Sequence, residues 1–382
     1  MKFFPAIPIF TFLCFSLSAQ QTINVSVKAT LPTIINESSG LETSKANSLW
    51  THNDSGGQPD LYNIDTNGVL LKTLHVSNAT NVDWEEVAYD TAGNFFACDF
   101  GNNNNDRQDL VIYKIVNPDL ISGNSVAAQL IHFTYPDQHG FPPPQSQRNF
   151  DMEAMIVMKD SLYLFSKNRT NPYSGYSKEY RLPTVPGTYV ATLVDSFYTG
   201  SGQLDDYSFT AADITNSHDS LVIISHFRLW LFTNFTGTNF FSGNVQEFIF
   251  SSATKKEGVC FKSANELYLT DEYNGNGTGK LYYLKFPIVI NGTDNTNGNL
   301  SDAKIYPNPF SNEINISATN FPSGQIHYEL RDACGRICAI GTNGYTAGES
   351  ISINVSSLEN GIYFLELYSG EEKLKTVEVV KN

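Results

Sequence analysis

The sequence predicts an all-β protein: a β-propeller followed by a small C-terminal β-sandwich. Three observations predict this fold. Aromatic residues make up 13% and charged residues only 16% of the 382 residues, and there are 27 glycines, a composition that favours strands and turns. A pattern of strands recurs five times before residue 290. A polar stretch rich in Gly and Asn, residues 291–301, then separates this part from a tail, residues 302–382.

The N-terminus has the features of a secretory signal peptide. Lys2 gives a positive start, residues 3–18 are almost wholly apolar, and Ser18-Ala19 supplies small residues before a cleavage site. The apolar run is short for a membrane span, and two prolines interrupt it. We therefore expect residues 1–20 to be removed and residues 21–290 to form the propeller. No later segment of the sequence predicts a transmembrane helix.

The charge balance excludes some partners. The chain has 24 Lys and Arg against 39 Asp and Glu, a net charge of −15. Binding to nucleic acid through the phosphates needs a basic surface, and so does docking onto anionic lipid. We expect neither partner.

The repeat in the first part is typical of propeller blades. The second strand of each unit begins at intervals of 46, 67, 59 and 46 residues, at Leu49, Phe95, Leu162, Leu221 and Leu267. Four-stranded units at such a period form blades around a channel. The fifth unit has no fourth strand before the linker, and residues 23–29 could supply it and close the ring. We count five blades, or six if the 67-residue interval contains a degenerate unit. A β-sandwich array is the alternative architecture.

Carboxylates recur at equivalent positions of this repeat. Glu86, Glu153 and Glu257 align at one position of the innermost strand, and Asp99 and Asp271 align at another. Carboxylates that converge on a channel axis repel each other unless a proton or a cation neutralises them. Oxygen ligands of this kind suit Ca²⁺, so a calcium site is one interpretation. The other is that these side chains solvate the channel and satisfy backbone groups at strand ends.

Further side chains near the predicted channel mouth are candidates for binding a glycan, a peptide or a small molecule. They are His52, Asn53, Asp54, Trp84, His226 and Glu272. The sequence has no Gly-x-Ser-x-Gly elbow, and we assign no catalytic residue. A secreted ligand-binding propeller and a calcium-dependent hydrolase of an ester or phosphoester both remain open, as does a structural protein of the cell surface.

Two motifs resemble those of a family of secreted bacterial propellers without an established activity. They are Trp50-Thr51-His52-Asn53-Asp54-Ser55-Gly56 and Asp83-Trp84-Glu85. The resemblance covers the first two blades well and the later ones loosely. It implies the fold, and it implies no chemistry.

The tail resembles the C-terminal sorting domain of the type IX secretion system, which occurs in Bacteroidota. The motifs are Tyr306-Pro307-Asn308-Pro309-Phe310, Asp332 with Gly335-Arg336, and Ser357 to Tyr363. The resemblance implies export across the outer membrane by the type IX machinery, removal of the tail, and release or attachment at the cell surface. The candidate sorting residues are Tyr306, Pro307, Asn308, Pro309, Gly335 and Gly361.

Overall fold

The chain divides into two units, Met1–Pro287 and Ile288–Asn382, in a computed structural model of the protein. The structure describes residues 21–272, 279–286, 303–317, 324–332, 336–345, 350–369 and 372–382. The predicted signal peptide and the predicted linker lie outside the described residues.

The first unit consists of short strands rich in aromatic and β-branched residues, joined by turns rich in Gly, Asn and Asp. The strands are β1 Gln21–Ile23, β2 Val25–Thr30, β3 Ser38–Lys45, β4 Ser48–Asn53, β5 Asp60–Ile64, β6 Leu70–Val76, β7 Trp84–Tyr89, β8 Asn94–Asp99, β9 Val111–Val116, β10 Ser125–Val126, β11 Gln129–Thr134, β12 Asp151–Met158, β13 Ser161–Lys167, β14 Tyr176–Pro183, β15 Gly187–Val190, β16 Thr192–Tyr198, β17 Ala211–Ile214, β18 Ser220–Ile224, β19 Arg228–Thr233, β20 Asn244–Phe250, β21 Lys256–Ser263, β22 Glu266–Asp271 and β23 Lys280–Lys285. One helical turn, α1 Leu204–Tyr207, and three 3₁₀ turns, Pro118–Leu120, Gln145–Gln147 and Phe240–Ser242, lie in the connections.

The described part of this unit forms five sheets. Their strand orders are β10-β6-β5-β4-β3, β15-β11-β9-β8-β7, β12-β13-β14-β16, β1-β20-β19-β18-β17 and β2-β23-β22-β21. The innermost strands β3, β7, β12, β17 and β21 pack side by side in that order, and β21 packs against β3. These sheets are the blades of a β-propeller, and the ring of innermost strands encloses its channel.

The N-terminal strand closes the ring. Strand β2 pairs antiparallel with β23 and is the outermost strand of the sheet that contains β21. Strand β1 continues the link, because it pairs in parallel with β20 of the preceding sheet. The prediction that residues 23–29 supply the missing strand and close the ring is therefore confirmed. The 67-residue interval between the second-strand starts at Phe95 and Leu162 is described in full. Between its blade strands it contains the short strand β10, two 3₁₀ turns and a long connection, and no additional sheet.

Large apolar side chains fill the space between neighbouring sheets. Between the first two sheets, Trp50, Leu61, Trp84 and Phe95 belong to one buried cluster. Burying a side chain of this size contributes about 1.5–3 kcal/mol. The tryptophans are therefore part of the blade core, where they stabilise the contact between adjacent sheets.

The second unit is a small β-sandwich. Its strands are β24 Lys304–Tyr306, β25 Glu313–Ser317, β26 Gly324–Asp332, β27 Ile337–Tyr345, β28 Ser350–Asn354, β29 Gly361–Ser369 and β30 Glu372–Lys381. They form the sheets β24-β25-β28 and β27-β26-β29-β30. Side chains of both sheets share one core, which includes Ile314, Ile353, Leu330 and Leu365.

The candidate sorting residues lie mostly at the start of this unit. Tyr306 is half-exposed at the end of β24, and a bend follows at Pro307 to Pro309. Within the bend, Asn308 accepts a 2.9 Å hydrogen bond from the backbone N–H of Val380 and donates one to the carbonyl of Glu378. Gly361 begins β29. Gly335 lies outside the described residues.

Candidate functional site

Charged side chains from the sheets converge on a cavity of about 190 Å³ in the first unit. The residues that line it come from innermost strands, from the ends of second strands and from the connections before and after these strands. They are Asp54, Glu85, Asn103, Glu153, Lys167, Arg169, Asp205, His226, Lys255, Glu257 and Glu272. Carboxylates therefore outnumber the cationic side chains in the lining. Every lining residue is charged, an amide or a histidine, so the cavity is suited to an ionic or strongly polar occupant.

A β-bulge places three of these carboxylates. The pairing of the innermost strand with the second strand skips one residue between Trp84 and Glu86, between Met152 and Ala154, and between Lys256 and Gly258. The skipped residues are Glu85, Glu153 and Glu257. A bulge re-aims the extra residue away from the regular pleat. The same irregularity occurs in β3, where the skipped residue is Gly40.

Asp54, Asp83 and Glu85 form one carboxylate group, which we call the Glu85 triad. One carboxylate oxygen of each lies within 4.8 Å of the others. Glu85 is only 4% exposed, and its carboxylate has no hydrogen bond or ion pair among the described residues. Burial and the neighbouring Glu153 and Asp54 raise its pKa well above the ordinary value. Desolvation and Asp83 raise the pKa of Asp54 to about 8.

Asp151 and Glu153 form a second group with Glu85, again with oxygens within 4.8 Å. This group already has cationic partners. Lys167 Nζ lies 2.5 Å from Glu153, and Arg169 Nε lies 2.6 Å from Asp151. Although burial penalises the ammonium, Glu153 and Glu257 raise the pKa of Lys167, so it stays charged. Asp151 and Glu153 are thus neutralised by the protein itself, whereas Glu85 is not.

Two other lining residues, His226 and Glu257, lie close to each other. His226 Nε2 lies 2.7 Å from Oε1 of Glu257, and its Nδ1 lies 3.7 Å from Asp205. Burial opposes ionisation of Glu257, but Lys167 and His226 together hold its pKa below the ordinary value. The second carboxylate oxygen of Glu257 is buried without a hydrogen-bond partner. An ionised, incompletely paired carboxylate attracts a positively charged group.

The structure brings together only part of the predicted metal ring. Glu153 and Glu257 line the cavity, but Glu85, not Glu86, takes the bulge position in β7. Glu86 is not among the lining residues, and it accepts a hydrogen bond from the backbone of Ala212. The alignment of the second repeat was therefore one residue out of register, because two glutamates are adjacent and the bulge selects the first.

Asp99 and Asp271 are bound to their own surroundings. Asp99 accepts hydrogen bonds from the backbone N–H groups of Val82 and Asp83 and lies 2.9 Å from Arg107. Asp271 accepts a 2.7 Å hydrogen bond from the N–H of Lys280 and another from a tyrosine hydroxyl. Both therefore satisfy backbone groups at strand ends, and neither lines the cavity.

The predicted ligand-binding residues also divide into two sets. Asp54, His226 and Glu272 line the cavity. His52 and Trp84 are fully buried and pack on each other at 5.6 Å, and burial lowers the pKa of His52 to about 4. The Asn53 side chain donates to the carbonyl of Ile34 and accepts from the N–H of Glu37. The second set therefore holds the loop before β3 and the core in place.

Sequence reasoning missed Glu85, Asp83, Asp151, Lys167 and Arg169. One signal was available: Glu85 precedes Asp99 by the same 14 residues by which Glu257 precedes Asp271. Counting from the second strand would have selected Glu85.

A second cavity, of about 470 Å³, is bordered by the hairpin turns of several sheets and includes Glu42 and Asp213. Backbone groups already satisfy both carboxylates: Glu42 accepts a 2.7 Å hydrogen bond from Thr43, and Asp213 accepts one of 2.6 Å from Phe261. This cavity therefore lacks the unpaired carboxylates of the first one.

The fold and the site define a β-propeller with an acidic cavity at its channel. Residues 304–381 match the family model described as the secretion system C-terminal sorting domain. The tail is thus a type IX sorting domain, which marks the protein as secreted or exposed at the cell surface and implies contact with the secretion machinery. No helix in the described ranges is long and apolar enough to cross a membrane.

Solved structures with a similar fold include sugar dehydrogenases. The PQQ-bound aldose sugar dehydrogenase of Streptomyces coelicolor is 13% identical, with a TM-score of 0.41, over 68% of this chain and 97% of that chain. The holo PQQ domain of pyranose dehydrogenase from Coprinopsis cinerea is 10% identical, with a TM-score of 0.36, over 70% of this chain and 98% of that chain. Likenesses this low carry no argument about activity. A search of curated protein sequences finds no match.

Proposed function

We propose that this secreted propeller is a binding protein that takes the positively charged group of a small polar ligand into the acidic cavity. The observation that carries the proposal is the surplus of unpaired carboxylates there. Glu272 has no ion pair or side-chain hydrogen bond among the described residues, and one oxygen of Glu257 is buried without a partner. An ammonium or guanidinium group would supply the missing donors.

The lining also bears on the class of ligand. Sugar binding commonly uses aromatic platforms, and the described lining contains none. Trp50, Trp84 and Trp230 are at most 2% exposed and belong to the blade core. Among glycans, peptides and small molecules, the cavity therefore favours an amine-bearing peptide or a small amine.

Isothermal titration calorimetry on the full chain tests this proposal. The probes are spermidine and the dipeptide Lys-Lys, with succinate as the anionic control. We expect the two amines to bind and their affinity to fall with added salt, because the attraction is ionic. Glu272→Gln should weaken amine binding about fivefold or more. Asp160→Asn, which removes an exposed carboxylate from a hairpin turn, should not change it. Equal binding of succinate, or amine binding that ignores Glu272→Gln, would overturn the proposal.

A metal-dependent hydrolase of esters or phosphoesters is the second candidate. The observation in its favour is the His226–Glu257 pair at 2.7 Å, since a buried imidazole oriented by a carboxylate can take a proton from water. Turnover of p-nitrophenyl acetate or bis(p-nitrophenyl) phosphate in the presence of Ca²⁺, lost in His226→Asn, would support it. No turnover above the His226→Asn background would leave binding as the function.

Export processing completes the proposal. We infer that the mature protein begins near Gln20 or Gln21 and lacks most residues after Ser301, since signal-peptide features precede the propeller and a sorting domain follows it. Intact-mass analysis of extracellular protein from the native host checks both ends. A mature exported chain that retains residues 304–381 would contradict removal of the tail.

A further inference from the structure

We propose that Asp54, Asp83 and Glu85 bind one Ca²⁺ ion at the wall of the cavity. These residues differ from Glu257 and Glu272, which form the proposed amine site. The proposal concerns the same cavity as the proposed function, but it does not require an amine ligand. The three carboxylates come from the residue after β4, the residue before β7, and the bulge inside β7.

The distribution of protein cations selects this triad over the neighbouring group. Glu85 belongs to both groups of oxygens that lie within 4.8 Å of one another. Arg169 lies 2.6 Å from Asp151 and 3.1 Å from Glu153, and Lys167 lies 2.5 Å from Glu153. No Lys, Arg or His of the described residues lies within ion-pair distance of Asp54, Asp83 or Glu85. Of the two groups, the triad is therefore the one in which none of the three carboxylates has an ion-paired cation among the described residues.

Two of the three carboxylates, those of Glu85 and Asp54, have unpaired oxygens, which is an observation separate from the acidity of the triad. Glu85 is 4% exposed, and no group of the described residues donates a hydrogen bond to its carboxylate. One oxygen of Asp54 is likewise buried and lacks a partner. Buried carboxylates normally accept hydrogen bonds or bind cations, since leaving them unpaired is costly. Both side chains face the cavity, where an ion can reach them.

A glycine leaves the space that the converging carboxylates need. A Cβ atom on Gly101 would lie 2.3 Å from Oε1 of Glu85 and 2.6 Å from Oδ2 of Asp83. Any side chain at position 101 would therefore displace two of the three proposed ligands. The amide of Asn103 also lines the cavity, and it donates a 3.4 Å hydrogen bond to Asp83.

The ligand type selects the metal. Three carboxylates without nitrogen or sulfur ligands form a hard, all-oxygen site, and Ca²⁺ accepts such oxygens with variable geometry while water completes its coordination. Mg²⁺ requires a smaller and more regular site. We expect a Kd of about 10⁻⁴ to 10⁻³ M, the range of extracellular calcium modules.

The test uses the full chain after treatment with EDTA and adds the metal alone. Tb³⁺ luminescence excited through tryptophan reports occupancy, since Trp84 is next to Glu85, and Ca²⁺ should compete for a single site. Thermal unfolding gives a second readout, because an ion that binds only the native state raises the unfolding temperature. We expect Glu85→Gln to weaken Ca²⁺ binding at least about tenfold and to abolish the rise in unfolding temperature.

Two further variants separate a lost ligand from a damaged fold. Gly101→Ala keeps every charge but displaces Glu85 and Asp83, and it should also weaken Ca²⁺ binding about tenfold. Glu179→Gln removes another buried carboxylate whose Oε1 has no partner, and it should leave Ca²⁺ binding unchanged. Absence of Ca²⁺ and Tb³⁺ binding in the parent chain, or binding that survives both Glu85→Gln and Gly101→Ala, would overturn the inference. Calcium binding without amine binding would contradict the proposed function only.

Discussion

Glu86 reaches across the channel to Ala212. Its Oε2 accepts a 2.9 Å hydrogen bond from the backbone N–H of Ala212, and its Oε1 accepts one of 3.0 Å from Val87. Strands β7 and β17 are not neighbours in the ring, because β12 lies between them. Burial raises the pKa of Glu86 well above its ordinary value, and the two N–H donors offset part of this effect. Glu86 is therefore a brace between two blades.

The brace predicts that Glu86→Gln destabilises the propeller. Glutamine has one oxygen, so its NH₂ group would face one of the two N–H donors, and a buried hydrogen bond would be lost. We expect the free energy of unfolding to fall by ~1–3 kcal/mol in urea unfolding at neutral pH.

The adjacent Glu85→Gln is the matched control for this prediction. It makes the same chemical change one residue earlier, but the Glu85 carboxylate accepts no hydrogen bond and is surrounded by other carboxylates. In metal-free protein, Glu85→Gln should leave the free energy of unfolding equal or raise it, since a repulsive charge is removed. Destabilisation of similar size by both substitutions would contradict the assignment of Glu86 as a brace.

Much of the fold was predictable from the sequence, because strands, turns and their repeat depend on local patterns. The second strands at Leu49 and Leu267 and the N-terminal closing strand were identified from apolar residues alone, and they pair as expected. Apolar periodicity specifies which residues form a strand, and the need to pair edges specifies which strand closes the ring.

The candidate site was less predictable, because its geometry depends on bulges and on residues from different sheets. A bulge changes which of two adjacent glutamates faces the cavity, and composition carries no trace of it. Lys167 and Arg169 neutralise Glu153 within the β12–β13 hairpin, where the bulge at Glu153 sets which side chains meet. Asp99 and Asp271 have the right residue type in the right repeat position, yet backbone N–H groups occupy their oxygens.

The bulge in β3 predicts a strong effect for Gly40→Ala. Gly40 has a φ of +57°, and a Cβ atom there would lie 2.7 Å from Nε2 of His52 and 2.8 Å from the backbone N of Val87. Both the left-handed backbone and the clash with the neighbouring blade oppose a side chain. We expect a loss of ~2–4 kcal/mol in the free energy of unfolding, measured by urea denaturation. Gly123→Ala, where a Cβ meets nothing within 4 Å, should be nearly neutral, and equal losses for the two would refute this account.

Ring closure predicts that deleting residues 21–30 destabilises the first unit. The deletion removes β1 and β2 together with the buried side chain of Ile23, which is 3% exposed, and it exposes the edges of β20 and β23. We expect the unfolding temperature to fall by roughly 10 °C in differential scanning calorimetry, with increased aggregation through the exposed edges. An unchanged unfolding temperature would show that the ring does not depend on this strand.

Because the carboxyl of Glu179 is buried, we expect the free energy of unfolding to depend on pH. The residue lies in β14, is 1% exposed, and has Oε1 without a hydrogen-bond partner. Burial, together with Asp195, raises its pKa from 4.5 to about 8. Between these values the native state holds a proton that the unfolded chain has released. The free energy of unfolding therefore declines as the pH rises from about 4.5 to about 8, where the native carboxyl also ionises.

Glu179→Gln should remove this decline, because glutamine keeps the size of the neutral acid and does not ionise. At pH 9 the variant should be more stable than the parent by ~1–3 kcal/mol, and near pH 4.5 the two should be equal. Urea unfolding at both pH values measures the difference. Asp160→Asn, at an exposed turn, controls for the change in net charge and should shift stability little at either pH. A stability difference for Glu179→Gln that is the same at pH 4.5 and pH 9 would show that the carboxyl does not titrate with the raised pKa.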